Sequence, residues 1–188
     1  VRVIAGKPYY PQWRTYPAFA GLDWRTGEEG GVKITRCPHY VPAQPSGLKR
    51  ILHLASFALS ALPHALRAAL GGRGRRPELV IAVAPALLSV FTAWLAARIA
   101  GARIAARLAG ARLWIHVQDF EVEAALATRL MDDARLPARL ARRVEGTFLR
   151  LGDTVSTISP QMCAKLVAKG VAPQRVIVLG PHGIRPCR

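Results

Sequence analysis

Acidic residues are scarce in this sequence: 11 Asp and Glu stand against 27 Lys and Arg among 188 residues, a formal charge of +16 with a pI near 11.3. Lysine is scarce as well, supplying five of those 27 cations, so the excess is almost all arginine. That balance suits phosphates or an anionic membrane, because guanidinium binds such groups bidentately, and it equally suits an Ala/Arg-rich genomic composition. Cysteine is rare. Cys37, Cys163 and Cys187 are odd in number and lack metal-ligand spacing, which excludes a disulfide-framework or zinc module and predicts a reduced compartment, with Cys163 as a core thiol. No G-x-G-x-x-G follows the first strand, which argues against a dinucleotide-binding oxidoreductase. No charged head with an apolar run marks a signal peptide at Val1, and a start on Val rather than Met suggests that an earlier segment is missing. One uncharged run, Leu79 to Ala97, is long enough to span a membrane, but Pro85 divides it into a β-rich half and a helical half, so strand, turn and helix are expected.

Hydrophobic residues make up 51% of the chain, enough for a real core. The most informative stretch is Ala111-Arg-Leu-Trp-Ile-His-Val-Gln-Asp-Phe-Glu-Val-Glu123. Leu113, Ile115 and Val117 alternate as in a strand. Past Asp119 the apolar spacing becomes helical, with Glu121 and Glu123 in the first turn, where the helix dipole favours negative charge. Asp119 is thus expected to cap a helix at a strand-to-helix switch, the edge of an open α/β sheet where ligands bind. His116, Gln118 and Asp119 are the candidate catalytic residues. His116 can orient an acceptor hydroxyl, accept its proton, or simply be a satisfied core histidine; Asp119 can cap or act as a carboxylate catalyst.

Other strands are predicted at Val1–Ala5, Val32–Arg36, Leu79–Ala84, Asp153–Ile158 and Arg175–Leu179. The aromatic, proline-rich run Lys7–Trp13 is expected to be a loop, either a ligand holder or a packed lid, and Gly27–Gly31 a turn. Helices are predicted from Gly47 to about Leu70, capped by Ser46 and kinked or split at Pro63; after Pro85; over Ala138–Leu151; and from Ser159-Pro160 to Gly170. Leu48, Ile51, Leu52, Ala55, Leu59 and Leu62 form an apolar stripe on the first of these. With the basic loop Gly71–Pro77 it reads either as a membrane-surface element or as a core-facing helix. Residues 96–113 hold one nine-residue duplication, too short for a solenoid. Alternating strands and helices imply a Rossmann-like α/β domain over residues 1–180, a mostly parallel sheet with helices on both faces, followed by a patternless tail at 181–188.

Several stretches together resemble one family. Val1-Arg-Val-Ile-Ala, Pro8-Tyr-Tyr-Pro-Gln-Trp13, Arg36-Cys-Pro38, Gln44-Pro-Ser46, Leu52-His-Leu54, His116-Val-Gln-Asp-Phe-Glu-Val122 and Thr157-Ile-Ser159 resemble, in this order, the N-terminal half of family 4 glycosyltransferases of the colanic-acid biosynthesis type. The resemblance implies a two-domain GT-B architecture with acceptor on the first domain, nucleotide sugar mainly on the second, and no metal or other cofactor. It implies transfer of a sugar to a lipid-linked acceptor at the cytoplasmic face of the membrane, with an anionic membrane surface and a donor domain or partner chain as further partners and no specific nucleic acid. Where the common family pattern has His before the Asp, this chain has Gln118, with His116 two residues earlier. The family's first strand and helix and its donor domain have no counterpart here, so these residues alone are expected to transfer no sugar. The competing function is a basic, non-catalytic module that binds nucleic acid or membrane, although the aromatics between Tyr9 and Trp24 are not interleaved with the downstream arginines as a nucleic-acid surface would require.

Overall fold

A computed structural model of the chain describes residues 1–71, 76–84, 87–102, 111–120, 136–180 and 183–187. Its strands form two sheets. The smaller contains β1 (Arg2–Gly6), β2 (Arg25–Glu29) and β3 (Val32–Cys37) in the order β1-β3-β2, with β1 and β3 parallel and β2 antiparallel to β3. The expected turn over Gly27–Gly31 is narrower than the glycines suggested. Gly30 and Gly31 both take positive φ, +57° and +76°, as a tight two-residue hairpin demands, which leaves Gly27 free to pair opposite Ile34.

The larger sheet runs β4 (Leu79–Ala84), β5 (Arg112–Val117), β6 (Thr154–Thr157), β7 (Val176–Gly180) and β8 (Gly183–Pro186) in that order. The first four are parallel and flanked by helices, the Rossmann-like α/β arrangement expected from strand–helix alternation. Two expectations fail at its far edge. Residues 183–186 are not patternless: Gly180 pairs with Gly183, whose φ is +96°, and the chain returns antiparallel along β7. That return carries Cys187 beside Val176, where it is disulfide-bonded to Cys163, so Cys163 is not a free core thiol. The two cysteines are 24 residues apart in sequence, and only the unforeseen hairpin brings them together.

Helices α1 (Gly47–Ala69), α2 (Leu87–Ala102), α3 (Leu136–Leu149) and α4 (Pro160–Ala168) connect and cover the strands. α1 runs through Pro63 without splitting, because Ala58, Ala61, Ala65 and Ala69 bury one continuous face that offsets the lost backbone bond. Ser46 occupies its N-cap position but makes no side-chain cap bond; Ser159, by contrast, accepts from the Met162 N–H and Pro160 follows it, as expected. The divided run 79–97 is β4 followed by α2, and no helix among the described residues is long and apolar enough to cross a membrane. The expected helix after Asp119 with Glu121 and Glu123, the centre of the duplication and residues 72–75 of the basic loop lie outside the described residues.

β5 is the centre of the core. Leu113, Ile115 and Val117 are buried with Val155, Val176, Leu149 and Leu166, each such side chain contributing roughly 1.5–3 kcal/mol. Glu145 of α3, also buried, accepts a short hydrogen bond from Lys169 just past α4, so this charge is paired inside the fold. Among the described residues β1 and β4 each have one strand neighbour. The two sheets are joined instead by α1 and α2, which pack through Ala65, Ala69 and Ala96 with Ile4 of β1 against the same seam. Beside the unpaired edges, Val3 of β1 and Leu79, Ile81 and Val83 of β4 are exposed.

Candidate active site

β5 delivers the three candidate residues to the carboxyl edge of the larger sheet. Strand alternation sends Leu113, Ile115 and Val117 into the core and Trp114 and His116 to the half-buried face. His116 is in register with Ser156 of β6, and the Ser156 hydroxyl lies 2.8 Å from His116 Nδ1 and 2.7 Å from Trp114 Nε1. An indole N–H can only donate, so Ser156 Oγ accepts from Trp114. The hydroxyl proton then goes to His116 Nδ1, its one acceptor among the described residues. On that hydrogen-bond pattern the neutral imidazole carries its own proton on Nε2. Such a ring donates to a ligand oxygen; it does not take a proton there.

Gln118 continues the strand by one bond, its N–H donating to the Ala84 carbonyl at 3.2 Å, and its side chain is exposed. Asp119 is exposed too. Its Oδ1 accepts from the Phe120 N–H at 2.7 Å, and the other oxygen has no partner among the described residues. Phe120 is buried, with the Lys169 ammonium 5.0 Å from its ring centre, and so anchors the turn that presents Asp119. The strand end thus brings together a donor imidazole, an amide and a carboxylate within four residues. Ser156 escaped detection because a serine inside an apolar strand carries no spacing signal; only register reveals it.

A second group of functional side chains stands at the carboxyl ends of β1 and β3. Lys7 is only 2% exposed, and its ammonium donates to the Gly21 carbonyl at 2.8 Å and to Asp23 at 3.1 Å. Arg25 and then Lys7 hold the Asp23 carboxyl down at about 2. Around this strap Tyr9, Trp13, His39 and His53 interlock, with Tyr9–His53 and His39–His53 ring centres 4.7 and 4.9 Å apart. His53 Nδ1 donates to the Tyr40 carbonyl at 2.6 Å and His39 Nδ1 to that of Cys37 at 3.3 Å, which fixes both tautomers. The Lys7–Trp13 loop is therefore a packed aromatic layer whose partners, His39 and His53, arrive from distant sequence. Gly6 must lack a side chain here, since a Cβ would lie 2.8 Å from the His39 ring. Cys37 is buried below, and burial pushes its thiol up to about 11, out of reactive range. Among the described residues no group of three His, Cys, Asp or Glu could hold a metal ion.

Ser156→Ala should leave the Trp114 N–H unpartnered and free His116 to change tautomer. The expected cost is about 1–3 kcal/mol by urea unfolding, together with a changed pattern of His116 ring nitrogen shifts in NMR. Stability should also fall in mild acid. Burial lowers the pKa of His39 and His53, so below the ordinary histidine value of about 6.5 the unfolded chain binds more protons than the folded one. Their contribution is complete above that pH and is lost as the pH drops toward the lowered values. Urea midpoints should therefore decline below about pH 6.5, and less steeply in His53→Gln.

Residues 1–182 match the glycosyl transferase 4-like domain. Over 179 residues, 94% of the chain, the sequence is 41% identical to an Escherichia coli (strain K12) protein whose name describes a colanic acid biosynthesis glycosyl transferase, WcaI. The chain spans 40% of that relative's length. With both candidate groups at carboxyl strand ends of a Rossmann-like α/β domain, the chain belongs to the glycosyl transferase 4-like domain family.

Proposed function

We propose that these residues form the acceptor-side half of a glycosyltransferase of exopolysaccharide biosynthesis, one that moves a sugar from a nucleotide sugar to a lipid-linked acceptor. The observation that carries this reading is the family match over residues 1–182, together with 41% identity to a relative whose name describes a colanic acid biosynthesis glycosyl transferase. In it Asp119, exposed at the strand end, receives or orients the acceptor hydroxyl. His116 donates from Nε2 to an oxygen that gains charge in the transition state, held in that tautomer by Ser156, and Gln118 positions the ring bearing the hydroxyl. The donor is expected on a second domain, with no metal. The basic-module alternative loses ground because the charge is accompanied by a family signature over nearly the whole chain.

Replacing the matching segment of the E. coli relative with these residues tests the assignment. The chimera should release nucleoside diphosphate in the presence of its acceptor lipid. Asp119→Asn should lower the rate roughly 10²–10⁴-fold with an unchanged melting temperature, because Asn caps as well as Asp. An unchanged rate would remove Asp119 from the chemistry.

α1 supports the membrane part of the proposal. Leu48, Leu52 and Leu59 recur at helical spacing and are 70%, 51% and 70% exposed, so this stripe does not face the core. Exposed Lys49 and Arg50 accompany it, and Tyr10 and Tyr40 are exposed in the loops that pack on the same end of the helix. Apolar, aromatic and cationic groups in one place match the interface of an anionic bilayer. Flotation with vesicles should show binding to anionic but not neutral lipid, lost on Leu52→Gln with Leu59→Gln; equal binding to both lipids would refute it.

A further inference from the structure

The smaller sheet carries a second concave surface, far from the carboxyl edge. Register places Arg2 of β1 opposite Lys33 of β3, and Thr35 of β3 between Ile4 of β1 and Thr26 of β2. Residues two apart share a sheet face, so Arg2, Lys33, Thr26 and Thr35 point the same way, and the two threonine hydroxyls are 3.1 Å apart. Above that face α1 contributes His64 and Arg67, three residues apart and therefore on one side of the helix. Together they line a cleft of about 320 Å³. Trp24 stands beside His64, its indole N–H donating to the Ser60 carbonyl and its ring 6.0 Å from that of His64.

Arg2, Lys33 and Arg67 thus converge on one space that no carboxylate among the described residues lines. Among the described residues none of them is in an ion pair; even Glu28, which faces Lys33 across the β2–β3 ladder, makes none with it. Lys7 and Lys169, by contrast, are paired, with Asp23 and Glu145. Like charges held around a cleft repel, and hydroxyl and imidazole donors beside them supply the short-range directionality that an oxyanion uses. The size, at the low end for ligand pockets, suits a small group.

We propose that this cleft binds a phosphate or diphosphate group through Arg2, Lys33 and Arg67, with Thr26, Thr35 and His64 as hydrogen-bond donors. It sits toward the amino-terminal ends of β1 and β3, whereas the candidate catalytic residues lie at the carboxyl edge, so the bound group is not the reacting one. The site is independent of the glycosyltransferase assignment. Its ligand is either a free phosphorylated metabolite or the headgroup of a phosphomonoester lipid.

The test is calorimetric titration of the 188-residue chain with inorganic pyrophosphate at low ionic strength, paired with thermal melting. Saturable binding is expected, weakened at least about tenfold in the double variant Arg2→Gln, Arg67→Gln, since each removes a charge-assisted contact. Without ligand, the double variant should melt at the same or a higher temperature, because substitution relieves repulsion. Arg175→Gln, in the turn just before β7, and Leu52→Gln with Leu59→Gln, on the apolar stripe, should bind pyrophosphate as the unaltered chain does. Competition by pyrophosphate against vesicles containing phosphatidic acid would assign the headgroup source, and binding without such competition the soluble one. Equal affinity in the unaltered chain and the double variant, or no saturable binding at all, overturns the proposal.

Discussion

Everything in this domain depends on a seam of alanines. Among the described residues β1 and β4 are not paired, and the two sheets are joined by α1 and α2, which approach closely because Ala65, Ala69 and Ala96 present methyl groups where they meet. Larger side chains there would push the helices apart. The carboxyl edges of β1 and β5 would move with them, since Ile4 and Ala111 pack on the same seam. Function therefore hangs on helix packing as much as on the polar residues themselves.

The polar chemistry follows a common plan at both edges. A charged or titratable side chain stands at a carboxyl edge and its orientation is set by a partner from another part of the chain. Ser156 does this for His116, the Tyr40 carbonyl for His53, and the Gly21 and Asp23 oxygens for Lys7. Such second partners fix tautomer and direction.

Much of the fold was legible in the sequence because its signals are local. Period-two alternation located β5, the Ser159-Pro160 pair located the start of α4, and Pro85 separated β4 from α2. What escaped depended on distant partners. Nothing in the spacing of Cys163 and Cys187 announces a bond, because the hairpin that joins them rests on two glycines and six other residues with no strong turn signal. Pro63 left open whether α1 is kinked or split, and burial along one face keeps it a single helix. The candidate residues at 116, 118 and 119 could be found from the strand-to-helix switch, but the tautomer of His116 could not, since it is decided by a serine 40 residues away.

The Trp114–Ser156–His116 chain also has a direction. A proton wire needs, at every link, a group that can both take up and give away a proton. The indole at its inner end has an N–H but no lone pair with which to accept one in return. No proton can therefore be passed from the imidazole through Ser156 to Trp114. The chain is an insulator that holds the imidazole by its inner nitrogen and confines any charge on the ring to the mouth of the sheet.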